Sequence, residues 1–114
     1  LALLSPINKT LTTDMCISSV CMRNYNEEEI DAYIQSGDPL DKAGAYAIQN
    51  AQFHPVTGFN GCFASVMGLP LCHLNRSLKK LGICLSADIP QACLQNLGYN
   101  CPIHRAVLES QAIG

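Results

Sequence analysis

Charge is scarce in this 114-residue chain: 14% of its residues are Asp, Glu, Lys or Arg, and the formal net charge is −2. Beyond Arg76, Lys79 and Lys80 it has no run of basic residues. That argues against binding duplex DNA or RNA through the phosphate backbone. No apolar run approaches the length needed to span a membrane, so no membrane partner is expected. Residues 1–6, LALLSP, are too short for a signal peptide and lack its basic start. Internal repeats, low-complexity segments and CxxC pairs are also missing, and without a CxxC pair no standard zinc finger is spelled out.

What the chain does have is apolar residues, 48% of the total, enough for one domain-sized core. A surface this low in charge fits a face buried against a second copy or a missing half. Seven cysteines is a high and odd count. With a core to rely on, it reads as reduced thiols in a cytoplasmic protein rather than a secreted disulfide scaffold. Cys16, Cys21, Cys62 and Cys72 lie in apolar sequence, where cysteine acts as a small hydrophobe.

Periodicity predicts strands at residues 1–4 and 11–22 around a turn at 6–9. Asn26 and Glu29 form a capping-box pair that opens a helix stopped by Gly37. The glutamates at 27–29 read as its solvated first turn rather than a metal site. Strands are expected at 53–56 and 62–67 around a turn at 57–61. Pro70 starts a helix in which Leu71, Leu74, Leu78 and Leu81 face inward and Arg76, Lys79 and Lys80 face out, ending at Gly82. Residues 88–97 read as a helix closed by Gly98, and Cys101-Pro102 opens a short last helix.

The most informative stretch is residues 37–49, GDPLDKAGAYAIQ. Pro39 fixes φ near the helical value and Asp41 can cap the amides that follow, which predicts a helix over 41–50. Lys42 then sits in the first turn, where the helix dipole disfavours a cation unless an anion sits there too. Lys42, Tyr46 and Gln49 are spaced i, i+4, i+7 and line one face. Two alternatives stand beside this one: a packed helix whose polar face meets water, and a Lys42 ion pair with Asp38 or Asp41. In the tail, Cys84, Cys93, Cys101 and His104 supply ligand types for zinc or an iron–sulfur cluster, but the spacing matches no standard site and buried free thiols are the favoured reading. Cys72 and His73 are adjacent, so they point to different helix faces and make no nucleophile–base dyad.

DKAGAYAIQ followed by VMGLPLCHL, and preceded by SSVCMRNYNEEEIDAYIQSGDPL, closely resembles the Maf family of nucleotide pyrophosphatases over residues 1–82. The resemblance implies an α/β fold, a mixed sheet with flanking helices, as the C-terminal lobe of a Maf-like (ITPase-like) architecture. It places that lobe at residues 1–82, with a helical, cysteine-containing extension at 83–114 packed on the same domain. It implies hydrolysis of a nucleoside triphosphate to the monophosphate and pyrophosphate, with Mg2+ or Mn2+, by attack of water between the α and β phosphates. Gln49 then belongs to substrate recognition and Lys42 to triphosphate binding, with Asp41 and Tyr46 beside them. Asp41 is a cap rather than a metal ligand in that scheme, and no metal ligand or catalytic base is assigned in this chain. The family's upstream half, with its Ser-Pro-Arg-Arg type phosphate loop and its aspartate base, has no counterpart in this sequence. The expectation is a fragment, a processed product, or a half-protein that pairs with a missing N-terminal half or forms a homodimer. Two other functions remain: a non-catalytic nucleotide-binding or assembly module, and a metal-stabilised interaction domain built on the tail cysteines.

Overall fold

A computed structural model describes residues 1–110. It is mixed α/β, as the resemblance implies. In place of one mixed sheet, the described strands form two separate two-stranded antiparallel ladders. The chain divides into two compact units: Leu1–Ser18 together with the residues from Gly61 on, and Ser19–Asn60.

In the first unit, β1 (Ala2–Leu4) pairs with β2 (Leu11–Thr13) in the register Ala2↔Thr13, Leu3↔Thr12 and Leu4↔Leu11. Asn8 shapes their connection, its side chain accepting from the Thr10 amide at 3.1 Å. Four helices follow: α2 (Phe63–Met67), α3 (Leu71–Lys80), α4 (Ile89–Leu97) and α5 (His104–Leu108). Asp88 caps α4 through the Gln91 amide at 3.1 Å, and Gly98 ends it in the left-handed region at φ 61°. Cys62, Ala64, Cys72 and Val107 are buried at the centre.

The inward face of α3 is more polar than its leucine spacing predicts. Leu71, Leu74, Leu78 and Leu81 are half-buried, whereas His73, Asn75 and Ser77 are buried. Arg76, expected to face out, turns inward to Asp14 just after β2. Nη2 donates to Oδ1 at 2.6 Å and Nε to Oδ2 at 2.9 Å, while Ser77 donates to the same carboxylate at 3.2 Å. A bidentate, largely enclosed partner outweighs the solvation that would have held the guanidinium outside. The Arg76 hydrogen bonds hold the Asp14 carboxyl down at about 2.

In the second unit, β3 (Ser19–Met22) pairs with β4 (Val56–Asn60), with an irregularity between Cys21 and Met22. Residues 11–22 are therefore two strands in two ladders rather than one strand. Residues 57–60, expected as a turn, lie in β4, and the expected strand at 62–67 is helix α2. Gly58 stands opposite Cys21 in this ladder, where an added Cβ would make ordinary contact with the Cys21 Cβ at 3.5 Å. Cys21 itself is exposed rather than in an apolar setting. Helix α1 (Glu27–Gln35) has the expected capping box, with the Glu29 amide donating to Asn26 at 2.8 Å and the Asn26 amide to Glu29 at 3.1 Å. Gly37 follows its end at φ 76°. No helix among the described residues is long and apolar enough to cross a membrane.

Candidate functional site

The site is a loop, and this is the main correction to the sequence-based expectation. After Gly37 a single 3-10 turn, Asp38–Asp41, replaces the start of a longer helix, and Lys42 leaves it in an extended conformation at φ −110°, ψ 129°. Residues 42–52 then run through turns, with Ala45 in the left-handed region at φ 53°. Lys42, Tyr46 and Gln49 consequently share no helix face. Asp41 caps no helix, since none follows it.

Asp38 organises this loop. Its Oδ2 accepts from the Tyr33 hydroxyl in a short hydrogen bond and from Asn50 Nδ2 at 3.1 Å. Its Oδ1 pairs with Lys42 Nζ at 3.3 Å. Tyr33 Oη in turn accepts from the Ala47 amide at 3.2 Å, tying the middle of the loop to α1. Asn50 closes the far end, its Oδ1 accepting from the amides of Gln52 at 3.0 Å and Phe53 at 2.8 Å. These tertiary bonds satisfy backbone amides that a helix would have satisfied internally. The Tyr33 and Asn50 hydrogen bonds, with Lys42 behind them, lower the Asp38 carboxyl below its ordinary value. Burial, then the Asp38 carboxylate, raises the Tyr33 phenol.

Lys42 Nζ donates to the Asp38 carbonyl at 2.7 Å and to Asp41 Oδ1 at 2.8 Å, in addition to the Asp38 side chain. Both ion pairs weighed from the sequence are therefore formed, and Asp41, ahead of Asp38, raises the ammonium above its ordinary value. The two partners differ in kind. The Asp41 side chain is 82% exposed, against 32% for Asp38. An exposed pair of this sort is weak and exchanges readily with another anion. An arriving phosphate can thus take the place of Asp41 while Asp38 keeps the ammonium positioned. Gln49 is exposed, and Tyr46 is half-buried with its ring against Gly44, where an added Cβ would lie 3.1 Å from it.

Three residues with large roles here were not singled out from the sequence: Tyr33, Asn50 and Arg23. Arg23 donates through Nη2 to the Phe53 carbonyl at 2.9 Å and through Nε to that of His54 at 2.9 Å, and pairs with Glu29 at 2.9 Å. Its guanidinium lies 4.6 Å from the centre of the Tyr25 ring. Phe53 stacks between Tyr25 and Tyr33 at centroid distances of 4.9 and 3.9 Å. The turn-forming Asn50 was the one readable signal, at the end of the motif.

Among the described residues no group of three or more His, Cys, Asp or Glu side chains gathers as a metal site. Asp38 spends both oxygens on Tyr33, Asn50 and Lys42. In the tail, Cys93, Cys101 and His104 line a small apolar cavity with Cys62 and Cys72, away from Cys84. Burial raises the Cys62 thiol to about 11 and Cys72 to about 12, so both are protonated and poor nucleophiles at neutral pH.

Lys42 is thus a cation held between two carboxylates, one of them exposed. The chain belongs to the Maf-like protein family, whose model matches residues 1–81. It is 42% identical over 84 residues to a dTTP/UTP pyrophosphatase of Dehalococcoides mccartyi, covering 74% of this chain and 38% of that one. It is 44% identical over 81 residues to a dTTP/UTP pyrophosphatase of Dictyoglomus thermophilum, covering 71% and 42%. The chain thus spans about two fifths of the length of these relatives. No solved structure matches it.

Proposed function

We propose that this chain is the nucleotide-recognition part, the C-terminal lobe, of a nucleoside triphosphate pyrophosphatase acting on dTTP and UTP. The observation that carries this is the Lys42 loop lying inside the family match, in a sequence more than 40% identical to relatives named for that activity. Lys42 neutralises triphosphate oxygens after exchanging Asp41, Asp38 holds the ammonium in place, and Gln49 offers amide donors and an acceptor to the base edge. Tyr46 belongs to the same substrate-binding wall. Water attacks between the α and β phosphates, and pyrophosphate leaves. The general base lies outside this chain. Mg2+ or Mn2+ belongs to the proposal as the companion of the triphosphate, since the described residues offer it no ligand cluster. The partner is an N-terminal half or a second copy, with 83–114 as a helical extension on the same domain, and the setting is the cytoplasm; residues 111–114 lie outside the described residues.

The test is substitution in the protein joined to the upstream half of a relative, read as pyrophosphate release from dTTP, UTP, dCTP and dATP. Gln49→Ala should change the order of preference with turnover retained. Lys42→Ala should raise KM for every triphosphate about tenfold or more, as loss of a charge-assisted contact to phosphate does. Unchanged preference and unchanged KM contradict these assignments.

A further inference from the structure

Within the second unit, a pocket of about 300 Å³ opens between α1, the 3-10 turn and the motif loop. Its walls are almost wholly apolar. Tyr25, Tyr46 and Phe53 supply aromatic surface, Met22, Ile30 and Ile34 aliphatic surface, and Gly44 and Ala45 bring the backbone of the motif loop to its edge. We propose that this pocket is the base subsite, which takes a pyrimidine through ring contacts and the Tyr46 hydroxyl, in addition to the Gln49 amide assigned above. The inference rests on the nucleotide-binding function proposed above and deepens it by naming where the base sits.

Three observations support it. The first is the inventory of hydroxyls. Tyr33 Oη is committed to Asp38 and Ala47, and Tyr25 Oη donates to the Pro55 carbonyl at 2.5 Å. Tyr46 Oη, by contrast, has no hydrogen-bond partner among the described residues. A phenol that can both donate and accept suits a pyrimidine edge, where a carbonyl and an N–H alternate. The second is connectivity. Gly44 is two residues from Lys42, so their Cα atoms are at most roughly 7 Å apart. The phosphate-binding ammonium and the pocket wall therefore belong to one short loop, within the span of one nucleotide. The third is pre-organisation. The Ala45 backbone is held at φ 53°, a conformation costly for alanine, and Gly44 is small enough for the Tyr46 ring to lie against it.

Aromatic faces stack on any base, and pocket shape refines the choice. Met22, Ile30 and Ile34 offer apolar contact to the C5 position, so a 5-methyl group is welcomed and thymidine binds at least as well as uridine. Methyl- and amide-resolved NMR of the 114-residue chain tests this, titrating thymidine, which carries no phosphate, and then dTTP. Ring-current shifts at the methyls of Met22, Ile30 and Ile34 with both ligands, and three- to tenfold weaker binding in Tyr46→Phe, are the expected result. If dTTP binds but moves only Lys42 and Gln49, the pocket is not the base subsite, and the pyrophosphatase proposal stands. If neither ligand binds, the subsite is overturned, and turnover of the joined protein decides the wider proposal separately.

Discussion

Individual residues carry much of the stability through polar groups placed inside. Asp14 and Arg76 are nearly enclosed, with 8% and 11% of their side-chain surface exposed. Removing the carboxylate in Asp14→Ala takes the charge partner from a nearly enclosed guanidinium and should cost about 2–4 kcal/mol in urea unfolding at pH 7. The folded carboxyl sits at about 2 against an ordinary 3.8, so the unfolded chain takes up the proton first as pH falls. The stabilisation is whole above 3.8 and drains away as pH drops toward 2. His73 acts in a different window. It is fully buried, and neither ring nitrogen has a hydrogen-bond partner among the described residues. Burial lowers its pKa below 6.5, so below that pH the unfolded state binds the proton and the folded state resists it. Stability should therefore fall on acidification from neutral pH, by at most about 1.4 kcal/mol per pH unit. His73→Leu should flatten that slope and leave stability at pH 7 equal or higher, because it removes two buried ring nitrogens that lack partners among the described residues. A slope unchanged by the substitution would remove His73 as its cause.

Elements with local punctuation were legible in the sequence. The Asn26–Glu29 capping box, the Asp88 cap with Gly98 at the other end, and Pro70 before α3 all stand where sequence chemistry puts them. Asn26→Ala should cost α1 about 1 kcal/mol, measured by urea unfolding. Gly61 follows β4 at φ 126°, where an added Cβ would come 2.6 Å from Ser18 Oγ and 2.9 Å from its Cα. Gly61→Ala should therefore destabilise by roughly 1–3 kcal/mol, more than a surface substitution. The illegible elements were those decided by distant partners. The Ala- and Gly-rich motif has enough small residues for a helix, yet Tyr33, Asp38 and Asn50 capture its amides and carboxylates across the unit. The five-residue stretch Phe63–Met67 is too short for periodicity to separate strand from helix, and β3 had already taken β4 as its partner. At the site, the residue types of Lys42 and Gln49 could be read from the motif. The Tyr33–Asp38–Asn50 network could not, because its links from Asn50 to Asp38 and from Ala47 to Tyr33 span 12 and 14 positions.

At the scale of the whole molecule, family membership and a poised lysine loop meet a chain that spans about two fifths of its relatives. In the reading proposed above, Lys42 holds the triphosphate and Gln49 faces the base, while Asp38 spends its oxygens on Tyr33, Asn50 and Lys42. That reading divides recognition and chemistry between this chain and another segment. The most direct measurement is pyrophosphate release from dTTP and UTP with Mg2+ or Mn2+, by this chain alone and by the same chain joined to the upstream half of the Dictyoglomus thermophilum relative. Turnover of pyrimidine triphosphates by the joined protein and none by the chain alone is the predicted result. Turnover by the chain alone would contradict the division, and a folded joined protein inert toward every triphosphate would contradict the pyrophosphatase proposal itself.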